Sequence, residues 1–194
     1  MKNILSDIKN TILVTVIGAV VLCGIYPVVV WALGSVLFHH QANGSLITSK
    51  DGTVLGSDVI GQAFSDDQYF NSRPSAAGTG YDATSSGGTN LGPTSQKLRD
   101  SVKAAVDAYR KQNGLSADTL VPGDAVTSSG SGLDPDISVK NAMLQVARVA
   151  KTRKLSPVAV TALVQKYTEG RDLGVFGEPR VNVLKLNLAL DGKI

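Results

Sequence analysis

The longest uniform stretch of this 194-residue chain is apolar: Thr11 to Phe38 carry no charge, and their only hydroxyl side chains are Thr11, Thr15, Tyr26 and Ser35. As a helix rising 1.5 Å per residue the stretch reaches about 42 Å, more than the roughly 30 Å of hydrocarbon in a bilayer. The pattern predicts a transmembrane helix over 11–38 behind a short cytoplasmic segment, 1–10. A cleaved signal peptide is the competing reading, but its apolar core would run to about 15 residues at most, and Ala32-Leu33-Gly34, the nearest cleavage-like site, comes too late. Lys2, Lys9 and the amino terminus precede the span, whereas the first basic residue after it is Lys50. The positive-inside rule therefore keeps the short end in the cytoplasm and places 39–194 outside, in the periplasm of a bacterium. Pro27 predicts a kink past the midpoint, and Trp31 falls where an interfacial aromatic anchor is expected. Thr15, Ala19 and Cys23 recur at four-residue spacing with Gly18 and Gly24 nearby, a small-residue ridge on which another helix can pack closely. A plain anchor needs no such ridge and is the alternative.

Beyond the span the periodicity changes. Ser45–Thr48 and Thr53–Leu55 are short β-type runs around Ser49-Lys50-Asp51-Gly52, which predicts a hairpin. Leu98, Val102, Ala105, Val106 and Tyr109 have helical spacing, with Thr94 as the expected N-cap and Asn113-Gly114 as the stop. Ser138 caps a second predicted helix carrying Val139, Ala142, Met143, Val146, Val149 and Ala150, closed by Lys151, Arg153 and Lys154. Ser156-Pro157 starts a third, with Val160, Leu163, Val164 and Tyr167 inward. From Val181 to Leu190 the apolar positions alternate with a phase slip, and Asn182 is placed to cap a helix, so strand and helix both fit. The fold class is α+β: one membrane helix, then an extracytoplasmic domain, 39–194, of about three helices, a small sheet or hairpin, and long glycine-rich loops.

Those loops dominate the composition, with 20 glycines and 7 prolines. In Asn71–Ser95, 18 of 25 residues are Gly, Pro, Ser, Thr or Asn, a linker-like mixture. Tyr69-Phe70, Tyr81 and Leu91 supply apolar anchors, however, which favours an ordered loop shaped for a partner. A second glycine-rich passage is Ser128–Pro135, where Gly130 and Gly132 point to special backbone angles or a close approach. Five aspartates between Lys50 and Asp82 could gather cations as an acidic lip, or simply make turns in a solvated loop.

The chemistry available to the domain is narrow. The lone cysteine, Cys23, lies in the span, and both histidines, His39 and His40, abut it, so nucleophilic triads and thiolate or histidine metal sites are not expected. Glu169 and Glu178 form no recognisable carboxylate pair, Asp134 and Asp136 alone make no calcium loop, and no metal site is assigned. A net charge of +3 does not announce nucleic acid. Ser86, Gly87, Gly88 and Asn90 are a weak candidate phosphate cradle, lacking both the P-loop and the dinucleotide pattern. Catalysis by this chain alone is not expected.

Tyr69-Phe70 with Arg73-Pro74-Ser75-Ala76, Gly87-Gly88-Thr89-Asn90-Leu91-Gly92-Pro93-Thr94, Ser129-Gly130-Ser131-Gly132-Leu133-Asp134-Pro135, and Gly177-Glu178-Pro179-Arg180-Val181-Asn182-Val183-Leu184 closely resemble the C subunit of the Kdp potassium-transporting ATPase, over nearly the whole chain. The resemblance implies an accessory subunit of an ATP-driven potassium-uptake complex in the bacterial inner membrane, beside a channel-like subunit that selects potassium and a P-type ATPase subunit that hydrolyses ATP. It also implies an alternative role, a catalytic chaperone that raises the ATP affinity of the ATPase subunit. ATP bound at Ser86–Asn90 conflicts with a domain outside the membrane. The family supplies no catalytic residues to carry over. Thr15, Ala19, Cys23, Arg73, Asn90, Asp134 and Arg180 are the candidate partner contacts, and for the last four a hydrogen bond that fixes their own loop is the competing role. A free-standing anchored chaperone or solute-binding module is the third reading.

Overall fold

The computed structural model describes residues 2–194 and divides into two compact units, one ending at Ser45 and one spanning Leu46–Ile194. In the first, α1 (Lys2–Ala19) passes through a π-helical segment, Val20–Ile25, into α2 (Tyr26–Leu37), and a single turn, α3 (His39–Ala42), follows. The continuous helix Asn3–Leu37 holds an 18-residue window with a mean hydropathy of 2.6 and is long and apolar enough to cross a membrane. Pro27 explains the π segment. In a regular α-helix its ring would press on the Cys23 carbonyl, and its missing N–H would leave that carbonyl unpaired. Just ahead of Pro27 the turn widens, the Tyr26 N–H bonding the Val21 carbonyl, so the proline does not enter a regular α-helical register.

The second unit opens with the predicted hairpin, β1 (Leu46–Thr48) against β2 (Val54–Ser57), antiparallel. Asp51 Oδ1 accepts from the Thr53 N–H at 3.1 Å and Gly52 takes φ +85°, which turns the chain. Helix α4 (Gln96–Asn113) is capped by Ser95 and not by the expected Thr94: a turn closed by the Ser95 N–H and the Gly92 carbonyl leaves Ser95 as the last extended residue, with its Oγ on the Leu98 N–H. Strand β3 (Asp136–Ser138) leads into α5 (Val139–Arg153), then α6 (Pro157–Lys166), β4 (Thr168–Glu169), β5 (Arg180–Asn182) and α7 (Val183–Leu190). Ser138, Ser156 and Asn182 cap α5, α6 and α7 with their side chains.

The ambiguous 181–190 stretch is therefore both elements in succession. Asn182 ends the strand and caps the helix, which makes α7 a fourth helix of this unit. A three-stranded antiparallel sheet, ordered β3-β5-β4, carries Ile137 and Val181 on its inner face. Around them pack Phe70, Ala142, Val146, Val149, Val160, Val164, Val183 and Leu186. Met143, expected on the inward stripe of α5, is 40% exposed. The adjoining face of α5 instead buries Asn141, Gln145 and Arg148.

Candidate functional site

Two of those polar residues, Gln145 and Arg148, hold the segment that enters the long loop, together with Asn187 of α7. Phe70 and Asn71 lie between α5 and α7, and two side-chain amides pair with them as a neighbouring strand would. Asn187 accepts from the Phe70 N–H and donates to its carbonyl, both at 2.9 Å. Gln145 accepts from the Asn71 N–H at 2.7 Å and donates to its carbonyl at 3.2 Å. Arg148 donates to the Asp67 and Tyr69 carbonyls at 2.7 and 2.9 Å, and to Asn113 Oδ1 and Gln145 Oε1. Burial lowers its pKa, with the Asp67 charge opposing. Arg153 donates to the Gln68 and Leu190 carbonyls, pairs with Asp191 at 2.7 Å and lies over the Tyr69 ring. Beside this clamp Tyr109 donates to Asn141 Oδ1 at 2.8 Å, and burial, then the charge of Asp124, pushes its phenol up. Asp124 in turn receives the Ser138 N–H, the Ser138 hydroxyl and the Asn141 amide.

The two glycine-rich passages pack on each other. Arg73 pairs with Asp134 at 2.6 Å, Ser75 donates to the Gly132 carbonyl, and Tyr81 donates to the Arg73 carbonyl. The Gly87 N–H and the Ser86 hydroxyl both donate to the Ser131 carbonyl. Gly132 has φ +69°, and a Cβ there would stand 2.6 Å from the Gly87 carbonyl and 2.7 Å from the Ala77 nitrogen. Its glycine is required by conformation and by close approach alike. Gly88 faces Gly130 less tightly, a Cβ there standing 3.0 Å from the Gly130 carbonyl, and Asn90 takes φ +52°, where asparagine is one of the few residues at ease.

Arg180 is the third focus. On the central strand β5, it reaches Asp136 on β3 and Glu169 on β4, each at 3.3 Å, and Asp172 in the following loop at 3.5 Å. Burial pushes the Asp136 carboxyl up to about 6; Asp134 adds to the shift and Arg180 opposes it. Lys185 joins Asp58 at 2.7 Å and Glu169 at 3.3 Å. Among the described residues, no group of three or more His, Cys, Asp or Glu is arranged to hold a metal ion.

A sequence model of the family described as K+-transporting ATPase, c chain, matches residues 8–192. The chain belongs to this family. It is 52% identical over 190 residues to the potassium-transporting ATPase KdpC subunit of Mycobacterium tuberculosis strain H37Rv, covering 98% of each chain. The subunit of the same name from Koribacter versatilis is 50% identical over 96% of this chain and 94% of its own, and that of Rhodospirillum rubrum 55% identical over 86% and 85%.

In this c-chain family member the structure brings together Arg73 with Asp134, while Arg180 pairs instead with Asp136, Glu169 and Asp172. All three make the loop-fixing bonds weighed against partner contact. Of the cradle candidates, Ser86 and Gly87 have their donors directed at Ser131. Thr15 and Ala19 lie one turn apart in α1, but Cys23 lies in the π segment, so the four-residue ridge does not continue as one α-helical face. Sequence reasoning passed over Gln145, Arg148, Asn187 and Asp124. Only Asn187 carries a signal, a polar residue among the leucines of α7, where the stripe would place a buried one.

Proposed function

We propose that the chain is a non-catalytic accessory subunit of an ATP-driven potassium-uptake complex, assembling or stabilising a channel-like potassium-binding subunit and a P-type ATPase subunit. The observation that supports it is the family match over residues 8–192, which spans the apolar helix and the loop-rich domain alike. The helix anchors the chain in the inner membrane with 1–10 in the cytoplasm, 11–38 across the lipid and 39–194 in the periplasm. There the domain offers partners a surface whose long loops are held by Arg73–Asp134, Gly132 and the Phe70–Asn71 clamp. Preorganised loops bind without an added ordering cost. The nucleotide-binding alternative draws less support, because the Gly87 N–H and Ser86 hydroxyl that a phosphate would need are engaged by Ser131.

Orientation separates the two readings. With Cys23→Ala as background, Val158→Cys places a single thiol at an exposed position in the first turn of α6. A membrane-impermeant maleimide is expected to label it in intact spheroplasts as fully as in lysed ones. Labelling after lysis alone would put the domain on the ATP side and overturn the accessory reading in favour of nucleotide binding.

A further inference from the structure

Between β4 and β5 the chain projects as a hairpin whose tip is apolar and exposed. Leu173 is 90% exposed, Val175 71% and Phe176 65%. The tip is held in shape. Asp172 and Phe176 exchange both backbone hydrogen bonds at 2.9 Å, the Gly174 N–H bonds the Arg171 carbonyl, and the Val175 N–H bonds the Asp172 carbonyl. Leu173 and Gly174 have φ of +53° and +75°, a tight turn of the primed kind. Such a turn favours asparagine or glycine at its first central position, and a leucine there is strained. Neither turn chemistry nor the core accounts for Leu173, Val175 or Phe176, so their use lies outside the chain.

The charges around the tip narrow the occupant. Arg171 pairs with both oxygens of Glu178, and Arg180 reaches Asp172, Glu169 and Asp136. Residues 170–180 hold two arginines and two acids, so the hairpin has no cationic excess to draw it to anionic lipid, and its apolar tip has no Trp or Tyr for the interface. A protein socket is the better match: the carboxylates paired around the tip outnumber the arginines four to two, which repels anionic lipid, whereas an apolar centre inside a charged rim is the anatomy of a protein interface.

We infer that Leu173, Val175 and Phe176 form a preshaped plug that seats in an apolar socket of another protein subunit of the transport complex; the inference rests on the accessory-subunit reading. The test uses the tagged full-length chain, co-expressed with the other subunits and recovered in mild detergent. Leu173→Asn with Val175→Ser and Phe176→Ser suits the turn and touches no core residue, so the variant keeps the wild-type Tm while retention of the other subunits falls at least tenfold. A photoreactive phenylalanine analogue at position 175 is expected to cross-link to one of those subunits. Undiminished retention of the subunits by the triple variant, or cross-links confined to lipid or to a second copy of the chain, would overturn the plug and leave the accessory role standing. Failure of the wild-type chain to co-purify with the complex would overturn both.

Discussion

The Phe70 backbone has its N–H and C=O paired by one side chain, Asn187, in a place where water does not reach. Asn187→Leu keeps the volume and removes both partners at once. Two buried groups without hydrogen bonds cost about 3 kcal/mol together, and thermal unfolding of the purified full-length chain should show the loss as a lower Tm. An unchanged Tm would mean that the segment can shift to pair elsewhere. Gln145 repeats the arrangement one residue on, so each amide of Phe70 and Asn71 is served by a different helix. A strand would have achieved the same pairing, but the chain has none there. The side chains of α5 and α7 substitute for one because the following loop, rich in glycine and proline, cannot itself supply a regular edge.

At the scale of elements, caps decide where strands become helices, and they differ in what else they hold. Ser156 is exposed, and its hydroxyl accepts from the Ala159 N–H of its own helix at 3.1 Å. Asn182 is buried, accepts from Lys185 N–H and also donates to the Asp58 carbonyl at 2.8 Å. Ser156→Asp should therefore leave Tm unchanged, whereas Asn182→Asp keeps the capping oxygen but puts a second oxygen against Asp58 in place of the amide donor, costing about 2 kcal/mol; equal stabilities for the two variants would contradict this. The start of α6 was legible in the sequence because Ser-Pro is a local signal. So were the hairpin turn at Asp51-Gly52, the apolar span and the stripes of α4 to α6. Two features were not: the π segment, since Pro27 announces an interruption without its form, and the polar face of α5, since Asn141, Gln145 and Arg148 look solvated until α4 and the 67–71 segment cover them. In the candidate site Arg73, Asp134 and Arg180 stood out as polar residues embedded in the motifs that carry the family resemblance. Their partners depend on loop closure over 61 residues for Arg73 and Asp134, which no periodicity encodes.

Across the whole domain, Asp136 lies where distant segments meet: Asp134 from the second glycine-rich passage, Asp58 after the hairpin, Glu169 on β4 and Arg180 on β5 all act on it. Burial is the largest influence, and the charged neighbours are three carboxylates, Asp134, Glu169 and Asp58, against the single cation Arg180. The folded carboxyl thus titrates near 6, against 3.8 for the free group. Between those values the native state holds the proton that the unfolded state releases, so the stability from this group is full below about pH 4 and is lost as pH rises through 6. At 1.36 kcal/mol per pKa unit, and with the side chain partly exposed, the loss amounts to about 2 kcal/mol. Asp136→Asn cannot ionise. Relative to wild type, its Tm should gain steadily between pH 4.5 and pH 7.5, even though the bond from Arg180 is weakened, and parallel Tm profiles for the two proteins over that interval would refute the assignment. The direction runs against ordinary acid denaturation, in which paired carboxylates stabilise at high pH, so the sign alone identifies Asp136. Asp136 holds Arg180 at 3.3 Å, and Arg180 in turn reaches Glu169 on β4 and Asp172 at the base of the hairpin, so ionising Asp136 strengthens a pairing that joins the sheet to that hairpin even as its burial costs stability.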